Sequence, residues 1–157
     1  MMKQKKYFYG TLVALAFVAM LVSKYYVQVM LIQGPSMKPT YHNMSIVLVD
    51  KHTRKYGVGD IVVFKTDGVK GNLVKRIVAG PKDTVLIKDG VLYVNEQPSA
   101  QQPDDKKLYH AGIAQTTVTV PDNCFFVLGD NYEESIDSRN KEIGFVAYEA
   151  IKGKIIR

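Results

Sequence analysis

The chain reads as a mainly β domain preceded by one N-terminal transmembrane helix, on three observations. An uncharged stretch from Tyr7 to Ser23 follows a lysine-rich start. Beyond Tyr26 the apolar residues come in short Val- and Ile-rich runs bounded by Gly, Pro, Asp or Asn, the signature of strands and turns. Between two of those runs stands Asp89-Gly90, the strongest short-range hairpin signal, because both turn positions require positive φ. The 157 residues suit one domain, and 46% hydrophobic against 23% charged residues excludes a disordered or collagen-like chain. The single cysteine, Cys124, excludes an internal disulfide and any CxxC motif. A net charge of +6 favours an anionic partner, and a membrane surface qualifies as readily as nucleic acid.

At about 1.5 Å per residue, Tyr7–Ser23 spans roughly 26 Å, just enough for a bilayer core of about 30 Å. Tyr7, Phe8 and Tyr9 on one side and Tyr25 with Tyr26 on the other lie where aromatic belts form, and Lys24 can snorkel outward. Lys3, Lys5 and Lys6 precede the segment, so the positive-inside rule places the N-terminus in the cytoplasm. The expected layout is a cytoplasmic tail at residues 1–6, a transmembrane anchor at 7–23 and an extracytoplasmic domain at 24–157. A cleaved secretory signal is disfavoured because Met20-Leu21-Val22-Ser23-Lys24 lacks a small-x-small exit. A buried core helix is disfavoured because no acid or amide gives the run a polar face.

Strands are expected in the runs Val27–Ile32, Ile46–Val49, Ile61–Phe64, Leu73–Val78, Val85–Ile87, Val91–Val94, Thr116–Val120 and Cys124–Leu128. Asn95–Thr116 is polar, carries Pro98, Pro103 and Asp104-Asp105-Lys106-Lys107, and reads as an exposed excursion.

His42, His52 and His110 lie outside the apolar runs and have no metal-ligand spacing, so they read as solvated loop histidines. Cys124, before Phe125 and Phe126, reads as a small buried hydrophobe. Ser36 lies in the turn-forming segment Gly34-Pro35-Ser36-Met37-Lys38-Pro39, which can hold a hydroxyl at the mouth of a sheet or serve as a plain connection. In Leu73–Val78, strand alternation puts Lys75 on one face with Leu73 and Ile77, and Arg76 on the other with Val74 and Val78. If the Lys75 face is buried, desolvation lowers the amine's pKa and makes it a general base; a snorkelling edge-strand lysine fits the same pattern. Gly129–Arg139 is a turn followed by Asp137 and Arg139, two apart, which read as a surface ion pair worth about 0–1 kcal/mol.

Taken together, GPSMKPT at 34–40, GDIVVF at 59–64, VKRIVAGPKD at 74–83 and GDNYEESIDSR at 129–139 resemble bacterial type I signal peptidase, the membrane-anchored serine-lysine protease of protein export. The resemblance covers almost the whole chain, and the single anchor looks like the Gram-positive branch. It implies Ser36 as nucleophile and Lys75 as general base, Ser135 as the serine that orients the lysine, and Asp137 with Arg139 as a supporting ion pair. It implies backbone amides of Ser36 and Gly34 as oxyanion donors, since Gly34 stands where many relatives have a serine and Pro35 has no N–H. Ile32, Met37, Tyr41, Leu73 and Val74 match positions lining shallow substrate pockets for small side chains, and Tyr132 replaces a common arginine. The implied partners are secretory preproteins emerging from the export translocon and membrane lipid, with no nucleic acid, cofactor or metal. Two rivals are a self-cleaving repressor of the LexA type, which needs DNA-binding helices in place of the anchor, and a non-catalytic tethered binding module.

Overall fold

The computed structural model describes residues 2–103 and 105–156, with the side chains of residues 2–8 and 22–24 outside that description. A helix, α1 (Met2–Tyr26), leads directly into a strand, β1 (Val27–Leu31). Its described side chains, Tyr9–Leu21 with Tyr25 and Tyr26, are all exposed, with Val13 at 70% and Leu15 at 69%. Among the described residues no helix is long and apolar enough to cross a membrane. The lysine-rich tail expected at residues 1–6, the first two residues of the expected span and its exit end at 22–24 lie outside the described side chains.

The remaining strands are β2 (Ile46–Asp50), β3 (Ile61–Phe64), β4 (Leu73–Ala79), β5 (Thr84–Lys88), β6 (Val91–Val94), β7 (Gln97–Pro98), β8 (Val118–Thr119), β9 (Cys124–Leu128), β10 (Val146–Ala147) and β11 (Ile151–Ile155). They form a seven-stranded sheet in the order β1-β2-β11-β3-β4-β9-β10 and a four-stranded sheet in the order β7-β6-β5-β8. Every expected run contains a strand. The β5–β6 hairpin turns at Asp89 and Gly90, whose φ angles of 52° and 79° are the positive pair that Asp-Gly supplies.

Three strands escape the pattern of apolar runs. β11 reads Ile-Lys-Gly-Lys-Ile and alternates buried positions with the exposed Lys152 and half-buried Lys154, between β2 and β3. Gly153 is needed there, because a Cβ would stand 2.4 Å from the Asp50 carbonyl oxygen. β7 and β10 are two-residue edge strands, too short to show a period. The excursion is also less exposed than its polarity suggests. Leu108 and Ala114 are buried in the core under the four-stranded sheet, and Leu108 N–H donates to the Gly90 carbonyl at 2.9 Å.

Strand β4 divides two apolar cores. Leu73 and Ile77 pack with Val62, Phe64, Phe125 and Val127, while Val74 packs with Ile61, Val63, Ile32 and Met37. Lys75 lies opposite Val62 of β3, on the Leu73 and Ile77 face, as alternation requires. A register shift against β9 between Ile77 and Ala79 ends that alternation, and Val78 and Ala79 both enter the third core with Phe126 and Leu128.

Candidate active site

The turn after β1 carries Ser36. Gly34 opens it at φ 89°, and its N–H donates to Asn43 Oδ1 at 2.9 Å. Lys38 N–H donates to Pro35 O at 3.0 Å and Tyr41 N–H to Met37 O at 2.9 Å, so the segment closes into a helical turn. Asn131, in the segment 129–139, clasps it, its N–H donating to Ser36 O at 3.0 Å and its amide to Pro35 O at 3.3 Å.

Lys75 reaches this turn from β4. Its Nζ lies 2.8 Å from Ser36 Oγ, and the residue is 2% exposed. Burial pulls the amine down from 10.5 to about 8, against the Asp137 and Asp130 carboxylates, which favour the charged form; the Arg139 charge assists burial. A hydroxyl both donates and accepts, so once the amine is neutral the bond runs from Oγ–H to the Nζ lone pair.

The loop 129–139 lies against this pair. Asp137 and Arg139 do not form the surface ion pair that their spacing suggests. Their side chains are 0% and 7% exposed, joined by Nε to Oδ1 at 2.8 Å and Nη2 to Oδ2 at 2.9 Å. The remaining valences are filled as well: Gly129 N–H donates to Asp137 Oδ2 at 3.1 Å, and Arg139 Nη2 to Tyr132 O at 2.9 Å. A buried pair survives only with such partners, since isolated charges lose several kcal/mol of hydration. Ser135 Oγ is buried and has no hydrogen-bond partner in the structure, so a bond to Lys75 is not formed in this conformation. A Cβ on Gly129 would stand 2.2 Å from that Oγ and 2.5 Å from Ser36 O, so both atoms occupy the face a side chain would fill.

Asp130 ties three segments together. Its carboxylate accepts from Arg76 Nε at 2.8 Å and Nη2 at 2.6 Å and from the Thr40 hydroxyl, and its carbonyl accepts from Lys106 Nζ at 2.8 Å. The Ser36 turn, the Lys75 strand and the excursion therefore meet at one residue. Lys106 Nζ also lies 5.9 Å from the centre of the Tyr132 ring, a cation over an aromatic face. The Tyr132 phenol is pushed up to about 12, chiefly by burial and then by the Asp130 charge.

Of the expected pocket residues, Ile32, Met37, Val74 and Tyr41 belong to one apolar cluster, whereas Leu73 packs in the core on the other face of β4. Met37 and Ile32 are 0% and 2% exposed. Gly34 N–H, expected as an oxyanion donor, is already given to Asn43; among the described residues Ser36 N–H has no acceptor. The three histidines are exposed, and Cys124 is half-buried against the core under the second sheet. Asn43, Asp130, Asn131, Arg76 and Lys106 were not singled out from sequence. Arg76 and Asp130 fall within the matched segments, but Lys106 and Asn43 carry no local signal.

The family model for signal peptidase, peptidase S26, matches residues 4–157. The chain belongs to the signal peptidase S26 family. It is 34% identical to signal peptidase I T of Bacillus subtilis (strain 168) over 145 residues, 86% of this chain and 75% of that protein. With signal peptidase I S of the same organism the identity is 37% over 134 residues, 78% of this chain and 71% of that one. The crystal structure of a signal peptidase I from Enterococcus faecalis V583 superposes with a TM-score of 0.53 at 27% identity, covering 65% of this chain and 97% of the other. A signal peptidase I of this family is a serine peptidase, and the mainly β architecture is the one it shares with that crystal structure.

Proposed function

We propose that this chain is a membrane-anchored endopeptidase that removes signal peptides from exported preproteins after small-x-small sites, with Ser36 as nucleophile and neutral Lys75 as general base. The supporting observation is a dry amine 2.8 Å from a half-exposed hydroxyl. Ser36 Oγ attacks the scissile carbonyl while its proton passes to Nζ. The tetrahedral adduct collapses, and the lysinium gives that proton to the leaving amine. Water then attacks the acyl-serine with Lys75 again as base. Ser36 N–H is the backbone donor for the oxyanion. Ser135 positions Lys75 by packing in the same recess, and the Asp137–Arg139 pair fixes the loop that carries it. Met37 and Ile32 are buried, so a pocket formed beside them, Val74 and Tyr41 suits small side chains, while Leu73, in the core on the other face of β4, does not line it.

In this reading α1 is a single-pass anchor, with the N-terminus cytoplasmic and the catalytic domain outside the cell membrane, where preproteins leave the translocon. Its apolar described side chains are exposed along the helix, which fits lipid as the solvent. The β1–β2 hairpin exposes Val29 beside Leu48 and Leu31 beside Ile46 on one apolar face that can dip into the outer leaflet. The test is cleavage of an Ala-x-Ala preprotein by wild type, Ser36→Ala and Lys75→Met. Both variants are expected to be inactive, and substantial activity in Lys75→Met assigns the base elsewhere.

A further inference from the structure

The connection from β2 to β3 carries Lys51-His52-Thr53-Arg54-Lys55. It is fixed at the C-terminal end of α1. Lys51 N–H donates to Tyr26 O at 2.9 Å, adding a rung beyond the Val27 and Asp50 pair, and the rings of Tyr26 and His52 lie 4.8 Å apart. Asp50 beside it stays ionised, because its Oδ1 accepts from the N–H groups of His52 and Thr53 at 2.8 and 3.1 Å and these bonds hold its pKa down, so the loop sets three basic side chains, Lys51, Arg54 and Lys55, against this one carboxylate. The far side is pinned as well: the Tyr56 hydroxyl donates to Thr53 O at 3.0 Å and the Tyr148 hydroxyl to Arg54 O. Backbone and base are therefore held while the Arg54 and Lys55 side chains stand exposed. The ion pairs among the described residues engage Arg76, Lys82, Arg139 and Lys154 but neither Arg54 nor Lys55; the Arg54 side chain meets the Tyr56 phenol, which carries no charge to cancel it.

The same end of the molecule presents the apolar hairpin face of Val29, Leu31, Ile46 and Leu48, together with Tyr25 at 73% exposure. An apolar hairpin face and a backbone-held loop of exposed cations, both joined to the end of an apolar helix, have the chemistry of contact with a bilayer that carries negative headgroups. We propose that the 51–55 loop binds the phosphates of anionic lipid headgroups and so seats the catalytic domain on the membrane. This rests on the anchored reading of α1.

The test uses the full chain in lipid nanodiscs. The sequence has no tryptophan, so Tyr25→Trp supplies a single reporter beside the loop. Energy transfer is measured from that tryptophan to dansyl-labelled phosphatidylglycerol or dansyl-labelled phosphatidylcholine, at low and high salt. Phosphatidylglycerol is expected to be enriched at the reporter by about fivefold per engaged cation at low salt, and less at high salt. Arg54→Gln with Lys55→Gln should abolish the preference, while Lys88→Gln with Lys107→Gln, in and beside the second sheet, should keep it. Preprotein cleavage in detergent by the Arg54 and Lys55 variant confirms that it is folded. Equal transfer from the two lipids, a preference that survives the Arg54 and Lys55 changes, or one removed equally by the control pair overturns the proposal. A chain that fails to co-elute with the discs refutes the anchor itself, a result read before any lipid comparison.

Discussion

The amine at the centre of the site predicts a specific dependence on pH. Burial brings Lys75 from 10.5 to about 8, a fall of about 2.5, which corresponds to ~3 kcal/mol at about 1.36 kcal/mol per unit. With an inflection near 8, roughly 9% of the enzyme holds a neutral lysine at pH 7, against roughly 0.03% for an unperturbed amine, so burial raises the reactive fraction by about 300-fold. The kcat/KM for preprotein cleavage should therefore rise about ninefold from pH 6 to 7, about fivefold from 7 to 8, and less than twofold from 8 to 9. The same shift acts on stability. Folding lowers this pKa, so the unfolded chain binds the proton more tightly between about 8 and 10.5, and the group's penalty is full below about 8 and gone above 10.5. Lys75→Met removes the penalty and should stabilise the fold at pH 7 by up to ~3 kcal/mol in urea denaturation, with the gain vanishing above pH 10.5. A flat rate profile from mildly acidic to alkaline pH, or an inflection above 10, refutes the assignment of a dry Lys75 as base.

Ser135→Ala removes a buried hydroxyl with no partner, so stability should hold within about 0.5 kcal/mol or improve. Its kcat should fall by roughly tenfold or more if that hydroxyl orients Lys75 during turnover, which steady-state cleavage kinetics would show. Gly129→Ala drives a methyl to 2.5 Å from the Ser36 carbonyl, a backbone atom that cannot rotate away, and should cost about 1–3 kcal/mol in thermal or urea unfolding together with most of the activity. Arg139→Met leaves the Asp137 carboxylate buried without its partner and should destabilise by about 3–5 kcal/mol, read by the same unfolding measurements.

Strand positions and the face of Lys75 were legible because each rests on local periodicity. Leu73, Lys75 and Ile77 alternate in the sequence and share a face in the sheet. β11 was not, since Gly153 interrupts its apolar pattern where two backbones approach closely. The burial of Asp137 and Arg139 was hidden for another reason. The segment around them is largely polar, and contacts from distant groups such as Gly129 and His110 help remove them from water. Asn43 takes the Gly34 N–H across nine residues, and Lys106 meets Asp130 across 24, both long-range contacts that no local spacing encodes. Leu108 and Ala114 sat as isolated apolar residues in a polar stretch, too sparse to form a run yet large enough together to anchor it.

The junction at Tyr26 and Val27 has a mechanical meaning. Helix gives way to strand with no intervening residue, and Val27 is already paired with Asp50, so there is no swivel between rod and sheet. Any lean of the rod is passed on to the sheet as a whole. Ser36 stands nine residues beyond the junction, at most roughly 30 Å of extended chain, so its height is set by the angle of the rod. On the proposed reading of α1 as an anchor and Ser36 as nucleophile, a bilayer whose thickness changes that angle would retune where the hydroxyl meets its peptide, without altering a single contact inside the domain.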